Sequence, residues 1–180
     1  MHIRGTTILA IRSEEERKAV IAADGQATLN NQIIKSKIRK VHKIYNDQVL
    51  VGFAGTTADS LTLFERFEGK LKDCSGNLKK AAVELTKDWR TDRVLRRLEA
   101  LMAVANHQGL LLISGSGDVL EPDEGMVGLG SGGMHALAAA KALRQETRLP
   151  IREIAEKALK IAASIDVYTN QEITVEELEW

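Results

Sequence analysis

The chain has 180 residues, with 25 basic and 25 acidic side chains, so its formal net charge is zero. That balance supplies no basic stripe for nucleic acid or an anionic membrane, and an aromatic content of 4% leaves little surface for base stacking. Cys74 is the one cysteine, which excludes an intrachain disulfide and fits a reducing, cytoplasmic compartment. Apolar residues make up 44%, enough for one globular domain with a real core. No apolar run reaches the length of a membrane span, and no signal-peptide core follows Met1.

In chain order, residues 6–12 read as a strand and residues 19–23 as a second apolar strand, joined by the polar connector 13–18 into a hairpin. The second strand ends at Asp24-Gly25-Gln26, a turn signal. Residues 32–35 and 40–44 read as short strands, and Asn46-Asp47 as a turn before a buried strand over 48–55. A helix follows, with Thr57 as its expected cap and Leu63, Phe64, Phe67 and Leu71 on one face. Asn77 is expected to cap a second helix carrying Leu78, Ala81, Ala82, Leu85 and Trp89, and residues 90–99 read as helical turn and connector.

Residues 101–105 and 110–113 flank Asn106-His107-Gln108-Gly109 as another hairpin. A short strand over 126–129 leads into Gly130-Ser131-Gly132-Gly133 and an Ala-rich helix over 134–146. Pro150 separates it from a helix with Ile151, Ile154, Ala158 and Ile161 on one face, and residues 172–176 read as a last strand. Strands that come as hairpins, with helices in blocks between them, predict an α+β layered fold of antiparallel sheets and not a doubly wound parallel sheet.

Several chemistries are excluded by what is missing. Residues 128–133 fit G-x-G-x-x-G literally. A dinucleotide site needs a parallel strand after the helix, and here another helix follows. The four histidines (His2, His42, His107, His135) have no metal-ligand spacing. There is no phosphate loop and no G-x-S-x-G elbow.

An amino-terminal threonine remains. A threonine hydroxyl is a poor nucleophile, and the α-amine of the same residue serves as its base once everything before it is removed. That amine has a reference pKa of about 7.7–8 and must be neutral to act. A lysine about 4 Å away, at an effective dielectric of about 20, repels its charged form by about 4 kcal/mol, or roughly three pKa units. The site then needs a carboxylate to hold the lysine and backbone N–H groups to meet an oxyanion. Thr6 is the candidate nucleophile, Asp24 the carboxylate, Gly52 and Ser131 the oxyanion and helix-start elements, and Lys35, Lys37 and Lys40 compete for the lysine role.

The residues that carry these roles resemble the bacterial HslV (ClpQ) family of proteasome-like protease subunits from Thr6 to Leu178. The matching stretches are Thr6-Thr7-Ile8, Asp24-Gly25-Gln26-Ala27-Thr28-Leu29, Gly52-Phe53-Ala54-Gly55, Lys80-Ala81-Ala82-Val83-Glu84-Leu85, Asp88-Trp89-Arg90-Thr91-Asp92, Gly130-Ser131-Gly132-Gly133 and Tyr168-Thr169-Asn170. The resemblance implies an Ntn-hydrolase αββα sandwich, two antiparallel sheets between helix layers. It implies residues 1–5 as a propeptide and 6–180 as one protease domain, with Thr6 as nucleophile, Asp24 as carboxylate, Lys40 as active-site lysine, Gly52 as oxyanion donor and Ser131 beside the nucleophile. It further implies a monovalent cation such as Na⁺ on the carbonyls of Ala163, Asp166 and Thr169, and no other cofactor for the chemistry. The implied assembly is two stacked hexameric rings served by an HslU-type AAA+ unfoldase that consumes the ATP and feeds in protein substrates.

The chain departs from the family pattern at Ala23, in a longer and acidic first connector, at Met134-His135, at Ala163 and Asp166, and by Trp180 at its end. A non-catalytic ring subunit or adaptor of the same fold, and an Ntn amidohydrolase acting on small amides, are the competing readings. The adaptor reading would keep residues 1–5 and need neither Asp24 nor Lys40.

Overall fold

The computed structural model of the chain describes residues 3–4, 6–55, 57–92 and 100–180, with backbone alone at 3–4 and 57–60. In order the elements are β1 (Ile3–Arg4), β2 (Thr7–Ser13), β3 (Lys18–Ala23), β4 (Ala27–Leu29), β5 (Gln32–Lys35), β6 (Val41–Ile44) and β7 (Val49–Ala54). Helices α1 (Thr57–Asp73) and α2 (Leu78–Thr91) follow, then β8 (Leu101–Asn106), β9 (Gly109–Ser114), β10 (Val119–Leu120) and β11 (Met126–Gly130). The chain ends with α3 (Gly133–Glu146), α4 (Ile151–Ala163) and β12 (Thr174–Glu179).

Two antiparallel sheets lie face to face. One has the order β11-β2-β3-β12, the other β10-β9-β8-β7-β6, and β1-β4-β5 form a small third sheet. Ile8, Ala10, Ile21 and Ala23 of the first sheet meet Val41, Leu50, Ala103 and Ala105 of the second. On the outer face of the first sheet, Leu9, Ile11, Val20 and Ala22 pack against α3 and α4. On the outer face of the second, Val49, Val51 and Phe53 pack against α1 and α2, with Phe67 and Trp89 fully buried. The result is the αββα sandwich expected from the family resemblance. It also explains why β2 and β3 are apolar at almost every position: each is covered on both faces. Every fully buried Leu, Ile or Phe here contributes about 1.5–3 kcal/mol.

The local signals resolve in detail. Asn77 caps α2, its side chain accepting from the Lys80 N–H at 2.9 Å. The Asn46-Asp47 turn includes Tyr45 as well, all three residues having positive φ. Ile161 is half exposed, and the buried stripe of α4 runs instead through Ile151, Ile154, Ala155, Ala158, Leu159 and Ala162. Residue 162 returns under Ile151 after three turns, whereas residue 161 is rotated off that face. The last strand lies later than the pattern indicated, at Thr174–Glu179, where it pairs along the whole of β3. The short strands β1, β4 and β10 carry too few residues to show a period. The expected cap at Thr57 and the connector over 93–99 lie outside the described side chains and residues.

Candidate active site

The β2–β3 hairpin builds the site. Its register places Ile8 opposite Ala23, so one step further out Asp24 stands opposite Thr7. There the Asp24 N–H donates to the Thr7 carbonyl at 3.1 Å, and the Thr7 N–H donates to Asp24 Oδ1 at 2.8 Å. Thr6 is the next residue out, half-buried at the start of the strand. From the other side, β11 pairs Gly130 with Thr7, and the Ser131 N–H donates to the Thr6 carbonyl at 3.0 Å. Gly130 has φ +82°, and an added Cβ would collide with the Thr6 carbonyl, so the turn requires glycine there.

Asp24 is fully buried and its carboxylate is fully engaged. Oδ1 accepts from Thr7 N and from Lys40 Nζ at 2.7 Å. Oδ2 accepts from the Gln26 N–H at 2.8 Å and the Asn170 N–H at 3.4 Å. Of the three candidate lysines, Lys40 is the one paired with Asp24. Its side chain is 6% exposed against Asp24, whereas Lys35 is exposed and Lys37 is 77% exposed in an ion pair with Glu172. Burial pushes the Lys40 pKa below its ordinary value, against the opposing pull of Asp24 and Asp166. The Lys40 side chain is thus buried against the Asp24 carboxylate, whose charge opposes the effect of burial.

The two threonines are sharply distinguished. Thr7 is fully buried, and its hydroxyl is taken up by the Thr169 hydroxyl at 2.6 Å and the Gly132 N–H at 2.9 Å. Thr169 in turn donates to Asp166 Oδ2 at 2.5 Å, which also accepts from Ser131 Oγ at 2.6 Å. Thr7 is thus a structural hydroxyl, and Thr6 is the threonine at the surface of the site.

Gly52 is not brought to Thr6. It lies inside the sheet, paired with Val41 on one side and Ala103 on the other. A Cβ there would meet Ile8 and Ile21 side-chain carbons at 3.0 Å, so glycine serves the close approach of the two sheets. The neighbouring Phe53 N–H points to the Lys40 carbonyl, 3.4 Å away on the β6 side. Antiparallel ladders alternate, so the Gly52 N–H points to β8 and is not free to meet a substrate oxygen.

The three carbonyls expected to hold a cation lie at the C-terminal end of α4 and in the turn after it. Helix C-termini leave carbonyls unpaired and carry negative partial charge. Ala163 ends α4 without a positive φ, so its replacement of glycine meets no backbone obstacle. The Asp166 carbonyl accepts from the Thr169 N–H at 3.1 Å and retains a second lone pair. Among the described residues no group of His, Cys, Asp and Glu is arranged to hold a metal ion, and no helix is long and apolar enough to cross a membrane.

Residues 3–178 match the proteasome subunit family. The chain belongs to that family. It is 56% identical over 176 residues to the ATP-dependent protease subunit HslV of Syntrophobacter fumaroxidans, covering 98% of this chain and 97% of that one. The crystal structure of the eukaryotic HslV from Trypanosoma brucei superposes with a TM-score of 0.90 at 44% identity, covering 97% and 99% of the two chains. The BPH protein of Thiobacillus denitrificans shares the fold at 18% identity, with a TM-score of 0.73 over 96% of this chain and 97% of that one. Within the proteasome subunit family the chain stands with the HslV proteins.

Three residues around the site went unrecognised in the sequence. The Asp166 carboxylate, read only as a carbonyl, is the acceptor shared by Ser131 and Thr169. Thr7 organises the turn beneath Thr6, and Asn170 reaches the Asp24 turn from the far end of the chain. Asp, Thr and Asn are ordinary turn residues, so the run from Asp166 to Asn170 directly after a helix carried no signal that set it apart from a plain connector.

Proposed function

We propose that the chain is the proteolytic subunit of an ATP-dependent, proteasome-like protease, with Thr6 as its amino-terminal nucleophile. The buried Lys40–Asp24 pair, held one residue from a half-exposed Thr6 whose neighbour Thr7 is fully occupied, carries this reading. Residues 1–5 are then a propeptide. Cleavage of the Gly5–Thr6 bond frees the α-amine, and the Lys40 ammonium keeps that amine neutral by like-charge repulsion. The amine takes the Thr6 hydroxyl proton as Oγ1 attacks the scissile carbonyl. The tetrahedral intermediate collapses to an ester on Thr6, and the departing amine takes the proton. Water, activated by the same α-amine, then hydrolyses the ester and restores the hydroxyl.

The oxyanion needs a donor not consumed by the ladder. Gly55 is exposed just past the last β7 pairing and two residues beyond Phe53. Alternation turns its N–H toward the same β6 edge as that of Phe53, beyond the point where β6 supplies a partner. Ser131, held by Asp166, orients the Thr6 backbone. A monovalent cation on the Ala163, Asp166 and Thr169 carbonyls would take no part in bond making. It would pin the turn whose Asp166 and Thr169 side chains hold Ser131 and Thr7.

Two stacked hexameric rings, an HslU-type AAA+ ATPase that unfolds protein substrates, and a cytoplasmic location complete the proposal. They rest on the 56% identity to an ATP-dependent protease subunit. The test is peptide and unfolded-protein hydrolysis by the wild type, Thr6→Ala and Thr6→Ser, with and without such an ATPase. Loss of turnover in Thr6→Ala with partial retention in Thr6→Ser supports the mechanism, and wild-type turnover in Thr6→Ala refutes it. Turnover of small amides alone, with no protein degraded beside the ATPase, would favour the small-amide reading.

A further inference from the structure

The Asp24–Lys40 pair joins two segments that no sheet ladder holds together at this point. Asp24 belongs to the turn that ends β3, whereas Lys40 ends the irregular segment between β5 and β6. Among the described residues a backbone bond crosses the seam, from the Ile38 N–H to the Gly25 carbonyl at 2.9 Å. Asn170 makes further connections. Its Oδ1 accepts from the Gly25 N–H at 3.1 Å and the Glu172 N–H at 3.2 Å. Its Nδ2 donates to the Ser36 carbonyl at 2.9 Å, and its own N–H reaches Asp24 Oδ2 at 3.4 Å. The two ends of one primary amide thus hold the two sides of the seam, with the acceptor on the Asp24 turn and the donor on the segment that leads to Lys40.

We propose that Asn170 is a positioning residue, which locks the Asp24 turn to the Lys40 segment and so fixes where the Lys40 ammonium lies relative to Thr6. The inference rests on the Thr6 reading above and assigns Asn170 no contact with substrate. Only a side chain with one acceptor and one donor at its tip can make both links. An aspartate keeps the Gly25 and Glu172 contacts but presents an oxygen to the Ser36 carbonyl. The charged groups around the seam are Asp24 and Lys40, Asp166, whose charge also acts on Lys40, and, at the surface, Lys37 paired with Glu172 at 3.4 Å and Arg39 paired with Glu176 at 2.5 Å.

The consequence follows from what Lys40 does in the proposed reaction. With Asn170 in place, the ammonium is held on Asp24 Oδ1, the oxygen that also accepts from the Thr7 N–H, and in the proposed reaction it keeps the neighbouring Thr6 amine deprotonated. When the segment is released, the repulsion weakens, the amine binds its proton more tightly, and the acid limb of the pH–rate profile moves to higher pH. A loss of folded or assembled protein lowers the amplitude of that profile but leaves its limb in place, which separates positioning from mere stability.

The test is the pH dependence of kcat for a fluorogenic peptide amide, measured on the full chain as wild type, Asn170→Ala and Asn170→Asp, each checked by intact mass and circular dichroism. In Asn170→Ala the acid limb is expected to rise by about one pH unit, with kcat at pH values below the limb reduced about tenfold and KM unchanged. Asn170→Asp is expected to shift it further, because the added negative charge also favours the protonated amine. Should Asn170→Ala fail to fold, the uncharged Asn170→Ser carries the same readout. An acid limb at the wild-type pH in the folded variants overturns the positioning role, whatever the loss of amplitude. Thr6→Ala in parallel keeps the two ideas apart: activity surviving in Thr6→Ala removes the nucleophile itself, whereas a Thr6-dependent enzyme with an unmoved limb removes only Asn170.

Discussion

Asp24→Asn isolates the ion pair on which the site depends. The substitution changes one oxygen to an amide nitrogen and removes the charge, with almost no change in shape. In the native site Oδ1 accepts from Thr7 N and Lys40 Nζ, and Oδ2 accepts from Gln26 N and Asn170 N. An asparagine has a single acceptor, so in either orientation its amide N–H groups confront donors that it cannot satisfy. Each buried unsatisfied group costs about 1–3 kcal/mol. Removing one partner of a buried pair costs about 3–5 kcal/mol in all, and for a domain of this size each kcal/mol lowers Tm by roughly 2–4 °C. Differential scanning fluorimetry should therefore show Tm lower by about 6–20 °C.

Catalysis should change in a defined direction as well. Burial already pushes Lys40 below its ordinary pKa, and Asp24 is the main influence raising it. Without that carboxylate the ammonium loses its proton at lower pH. Once Lys40 is neutral it no longer suppresses protonation of the Thr6 amine, so the acid limb of the pH–rate profile moves up. An Asp24→Asn protein with wild-type Tm and an unchanged profile would refute the proposed coupling of Asp24, Lys40 and Thr6.

Other expectations follow from neighbouring contacts. Thr7→Val should cost about 1–3 kcal/mol in denaturant unfolding, because Thr169 Oγ1 and Gly132 N lose a buried partner; Thr6→Ala should leave stability within about 0.5 kcal/mol while abolishing turnover. Gly130→Ala puts a side chain at φ +82° against the Thr6 carbonyl, and should reduce both Tm and peptide hydrolysis. Asp166→Asn removes the negative charge that strengthens the Ser131 and Thr169 hydrogen bonds to Oδ2 and sets an amide N–H against the Tyr168 N–H at Oδ1, and should lower kcat with little change in KM. Glu16→Ala removes the carboxylate that accepts from the first N–H of α4 at 3.1 and 3.2 Å, with a loss of about 0.5–2 kcal/mol in unfolding and no change in kcat.

Much of the layered fold could be read from the sequence because its strands come as hairpins with local turns. The Thr6–Asp24 relation was legible for the same reason: a hairpin brings its two ends together whatever lies elsewhere. Lys40 was not singled out by pattern, since the segment between β5 and β6 has no regular period to show which of three lysines turns inward. Gly52 misled for a physical reason. A glycine in a buried strand marks close approach of another backbone or side chain, and here the neighbours are Ile8 and Ile21 across the sandwich, not a substrate. The Asp166 and Asn170 side chains act on residues 35 and 145 positions away in the chain. No local periodicity encodes contacts of that range.

The central claim is that Thr6 becomes the first residue and the nucleophile. Its most direct measurement is treatment of the purified protein with a peptide electrophile that needs both a free amine and a hydroxyl on one residue, followed by intact mass and peptide mapping. The account predicts a chain lacking residues 1–5 that carries a single adduct on Thr6, formed in parallel with loss of peptidase activity. An active protein that still begins at Met1 or His2, or an inactivating adduct on any other residue, would contradict it.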